Sequence, residues 1–79
     1  MDIEIARTMV RTAFEANRTL QAILPTLNAG LPEADYRASA HDLAVAVDHV
    51  NTALLARAIA AHPGLEAEIE TAIREQGRF

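Results

Sequence analysis

Apolar residues recur along this chain at alternating steps of three and four. The first run is Ile3, Ala6, Val10, Ala13, Asn17, Leu20, Leu24 and Leu27. That spacing keeps one face of a helix in register with a lengthwise neighbour. Met9, Phe14 and Ile23 widen the stripe, and Glu4, Arg7, Arg11, Glu15 and Arg18 fall mostly outside it. The pattern predicts a helix over about residues 2–24, capped by Asp2 and ended or restarted at Pro25.

The second run is Tyr36, Ala40, Leu43, Val47, Val50 and Leu54. It predicts a long central helix over about 32–61. Pro32 starts it, Glu33 and Asp35 suit its positive end, and Pro63-Gly64 stops it. No Gly or Pro interrupts the interior. About thirty residues at 1.5 Å each make a rod of ~45 Å. A second stripe, Val45, Thr52, Leu55 and Ile59, is displaced around the same helix. A third face carries Asp42, Ala46, His49, Ala53, Ala56 and Ala60. Apolar surface on more than one side needs a neighbour on more than one side.

A shorter stripe, Leu65, Ile69, Ala72 and Ile73, predicts a third helix over about 64–76. The connection from Pro25 to Gly30 is short, which forces the first two helices to lie antiparallel. The expected fold is therefore all-α: an antiparallel two-helix hairpin plus a short third helix. Homodimerisation would complete a four-helix bundle core. Val45, Leu55, Ile59, Leu65 and Ile69 are the expected interface residues. The open alternative is that the third helix of the same chain covers the second stripe.

Size sharpens this expectation. Seventy-nine residues make one domain, near the length at which a lone core supplies only ~3–5 kcal/mol. Much of the 51% hydrophobic content is alanine, which buries little area. There is no cysteine, so neither a disulfide nor a thiolate metal site can help. Self-association is the support left open.

The net charge is −4, and all seven basic residues are arginine. An acidic chain without a basic run is a poor nucleic-acid binder. Asp2 and Glu4 stand where a signal peptide would be positive, and no continuous apolar run approaches the ~20 residues of a membrane span. A cytoplasmic protein without a membrane or nucleic-acid partner is expected. The Ala- and Arg-rich, lysine-free composition fits a GC-rich, bacterial-type coding bias.

Candidate chemistry is sparse. Asp48, His49, Asn51 and Thr52 form the most polar part of the central helix, and Asn17 is the one polar residue in the first seam. They suggest a polar layer or a small pocket, or else a solvated helix face. His41 and His49 are eight apart, roughly 12 Å along a helix, too far for one ion. The H-E-x-x-H pair is absent. Ser39 is the only serine, and it lacks a base at a meaningful spacing. No Gly-rich phosphate loop occurs, and the Asp-Ser-Leu motif of phosphopantetheine carriers is missing. The expectation is a non-enzymatic helical interaction or oligomerisation protein, recognising its own copy or a protein partner, with no cofactor and no metal. The alternative is a small-ligand or metal-binding protein using the cluster around His49.

Overall fold

The computed structural model describes all 79 residues and contains helices only. We label them α1 (Ile3–Ala22), α2 (Leu24–Gly30), α3 (Glu33–Ala61) and α4 (Leu65–Gln76). Asp2 caps α1 by accepting the Glu4 N–H at 2.6 Å. The first run of apolar positions is broken at Ile23, where α2 begins as a separate helix with Pro25 in its first turn. Pro25 has no N–H to donate back into α1, so it fits only where a helix restarts. Gly77 ends α4 in the left-handed region at φ 74°, a conformation that glycine adopts without steric cost.

Residues early in α1 meet residues late in α3. The His62 ring, just beyond α3, lies 2.7 Å from the Met1 carbonyl. A carbonyl can only accept, so Nε2 is the protonated nitrogen of that ring. Further along, Asn17 of α1 bonds Asn51 of α3. The molecule measures 45 × 25 × 15 Å, and the long dimension matches the ~43 Å expected of a 29-residue helix.

Packing is uneven along that length. Ala6, Val10, Ala58, Leu65 and Ile69 are buried together where α1, the end of α3 and α4 meet. Ile3, Met9, Phe14, Leu55, Ile59 and Phe79 pack against them. Arg7 clamps this end from outside. Its guanidinium donates to both carboxylate oxygens of Glu68, at 2.8 and 3.3 Å, and also bonds Glu4. The hydrogen bonds to Glu68 first, then Glu4, raise the Arg7 pKa above its ordinary value. The other end is bare. Neither α2 nor residues 33–50 of α3 contain one fully buried residue.

Two expectations change here. Leu65 and Ile69 are not available to a partner, because they are the chain's own core. Leu55 and Ile59 are half-buried against that core rather than free. The cause lies in the backbone. Residues Asn51–Ala56 form a π-helical turn within α3. Such a turn accommodates one residue more than an α-helical turn, so everything after it is rotated back by about 100°. On a regular wheel Leu55 stands about 120° from the Leu43 line; with the extra residue absorbed it stands about 20° away. The second stripe is therefore turned partly onto the first.

Candidate functional site

The polar residues of the mid-helix separate into two groups. Asp48, His49 and Thr52 are exposed and line a shallow depression of about 320 Å³ together with Ala53 and Arg57. Asn51 faces the other way, toward α1. Asp48 and His49 are consecutive on a helix and project about 100° apart, so they do not converge on one ion. Arg57 adds a cation to the same depression. No group of three or more His, Asp or Glu side chains anywhere in the chain is placed to hold a metal. His41 is exposed and lies outside the depression.

Asn17 and Asn51 form the second group. Asn17 donates from Nδ2 to Asn51 Oδ1 at 2.7 Å in a partly buried contact. The Asn17 carbonyl oxygen is buried without a partner. Exchanging oxygen and nitrogen in both amides would reverse the bond and strand the Asn17 NH₂ instead, so one polar group is unmet either way. A buried unmet group costs ~1–3 kcal/mol, whereas replacing both partners by apolar residues is close to neutral. Asn51→Leu alone is therefore expected to destabilise the protein by about 1–3 kcal/mol, because the whole Asn17 amide is then unpaired. The double variant Asn17→Leu/Asn51→Leu should recover wild-type stability or exceed it by about 1 kcal/mol. Urea unfolding followed by circular dichroism measures both. The pair sits at the entrance to the π turn, so it fixes which residue of α3 faces α1 there.

Two further features were not read from the sequence. Between α1 and α3, an open groove of about 330 Å³ is lined by Ile5, Met9 and Leu54, with Glu4, Thr8 and Thr12 at its sides. A larger cleft of about 580 Å³ lies between α1 and the end of α4. Arg11, Arg18 and Arg78 line it, with Phe14, Ile73 and Phe79. Arg11 stands over the Phe79 ring, 5.2 Å from its centroid, a cation–π distance. The turn at Gly77 brings Arg78 and Phe79 back against α1. From the sequence alone, Gly77-Arg78-Phe79 is expected to fray unless Phe79 finds a pocket, and three residues carry no periodicity from which to locate one; in the structure Phe79 packs against the core.

No protein-family model, curated protein or solved structure matches this chain.

Proposed function

We propose that this protein is a small non-enzymatic association module whose open half is covered by a second copy. The observation that carries this reading is the surface left outside. A compact protein of 8.6 kDa exposes about 4,700 Å²; this chain exposes 5,512 Å². The excess, about 800 Å², equals one partner's share of an ordinary specific interface. The radius of gyration, 15.0 Å, likewise exceeds the ~12 Å of a compact chain of this length.

The apolar residues left uncovered toward the open half support a contact there. Ile23 is 46% exposed, and Leu20, Leu24, Leu43 and Val47 are only half-buried. All lie toward the bare end. Two antiparallel α1–α3 hairpins joined there form a four-helix bundle, with the α4 helices at opposite ends. Val45 stands two positions from both Leu43 and Val47 and points about 160° away from each, so it leaves this interface together with Leu55, Ile59, Leu65 and Ile69.

By length and composition α3 would also pass as a membrane span, with a mean hydropathy of 1.3 over its most apolar window. Asp48 and Arg57 both lie in α3, and each would cost ~2.5–3.5 kcal/mol near the centre of a bilayer. A second copy covers the same apolar surface and leaves those charges in water. The reading therefore favours a protein neighbour over lipid.

Sedimentation at tens of micromolar is expected to give twice the chain mass. Ile23→Glu should give the single mass with helicity retained, since that side chain does not belong to the internal core, whereas Val45→Glu on the opposite face of α3 should leave the doubled mass unchanged. A wild-type protein that sediments as a monomer at that concentration overturns the proposal.

A further inference from the structure

The cleft between α1 and the end of α4 lies at the packed end, away from the surface assigned above to a second copy. Its charge is out of character for the chain. The protein carries eleven acidic residues and seven arginines. Arg7 and Arg37 are engaged by carboxylates; Arg11, Arg18, Arg57, Arg74 and Arg78 are in no ion pair. Three of those five line this one cleft, where the sole acidic lining residue is Glu15. Beneath them lie the apolar surfaces of Phe14, Ile73 and Phe79.

We infer that this cleft is a docking site for an acidic amphipathic segment of another protein. Charge complementarity identifies the sign. Guanidinium groups without partners are bidentate donors to carboxylates. Spacing identifies the kind of ligand. Arg11 and Arg18 are seven residues apart on one helix face, about 10 Å along the axis. Arg11 is held in place over Phe79. One small anion does not span both arginines. A helix with carboxylates two turns apart does, and apolar residues between those carboxylates meet Phe14, Ile73 and Phe79. Helix-in-groove recognition of this kind uses anchors at such intervals.

The test uses the full chain and a synthetic helical peptide carrying two glutamates seven positions apart with leucine and phenylalanine between them. Fluorescence anisotropy is expected to show saturable binding that weakens as salt is raised. Arg18→Gln and Arg78→Gln should each weaken it by roughly tenfold. Both arginines are exposed and unpaired, so the variants keep the wild-type circular dichroism spectrum. A peptide with lysine in place of the glutamates should not bind. Equal binding of the two peptides, or no saturation by about 1 mM of the acidic one, overturns the inference. Full displacement of the peptide by millimolar benzoate or inorganic phosphate assigns the cleft to small anions and overturns it too. So does a loss of the dimer mass in Arg18→Glu/Arg78→Glu, which would give the cleft to a second copy. A monomeric wild type that still binds the peptide removes the self-association proposal and leaves this one standing.

Discussion

Deleting Ala53 leaves this protein folded, with a Tm within about 5 °C of the wild type, a shift worth about 1 kcal/mol at this chain length. Deleting Thr12 abolishes cooperative melting. Both residues are exposed, so neither loss removes core volume. The difference is rotational. Ala53 lies in the π turn of α3, and removing one residue there returns the helix to regular α-geometry. Leu55, Ala58 and Ile59 then keep their present directions. Thr12 lies in regular α1. Its removal turns the remainder of that helix by about 100° and takes Ala13, Asn17 and Leu20 off the line of Ala6 and Val10. No adjacent turn has a spare residue to compensate. The core available to a chain this short is ~3–5 kcal/mol, and it does not survive the loss of one half of the α1 seam. Circular dichroism melts of the two deletions, run side by side, check this. A wild-type-like melt for the Thr12 deletion, or an unfolded Ala53 deletion, refutes the account of the π turn.

Leu65→Ala should cost about 3 kcal/mol, within the 2–5 kcal/mol typical of fully buried leucines. Leu65 is the largest fully buried side chain and sits where α4 meets α1 and the end of α3. Set against ~3–5 kcal/mol in all, that loss leaves a substantial unfolded population at 25 °C. A change of about 1 kcal/mol moves Tm by about 4–8 °C for a domain of this size, so the midpoint should fall by more than about 10 °C. Ile73→Ala on the same helix is the control. Ile73 is 48% exposed, and its truncation should stay near 0.5 kcal/mol. Equal effects from the two substitutions would show that α4 is not seated through Leu65.

The helices and their faces were legible because their signals are local and periodic. The α1 seam holds its spacing from Ile3 to Leu20, and the proline–glycine punctuation around α3 marks its ends within a residue or two. Asn17 was legible as the one polar residue in an apolar line, and it does meet a partner on α3. The π turn was not legible. Two stripes displaced around one helix fit either a second interface or cover from the third helix, and a jump of about one residue's rotation in mid-helix also marks an inserted residue. The structure bears out the cover from within the chain for Leu55 and Ile59, which pack on the core around Leu65 and Ile69. The stripe of Leu65 and Ile69 gives the face they bury, not the element they bury it against. The arginine cleft was not legible at all. Arg11, Arg18 and Arg78 come from distant parts of the chain, and a turn at one glycine brings the last of them alongside the others.

The uneven burial along the rod has a consequence for how the chain behaves on dilution. Its tight end holds itself together, while residues 24–50 have little beneath them to resist opening. Backbone amides in that stretch should exchange with solvent long before those around Val10 and Ala58, and pairing with a second copy would slow the first set only. With the second copy proposed above in place, order in that half obeys mass action, and the amount of this protein present would decide how much of each molecule is structured.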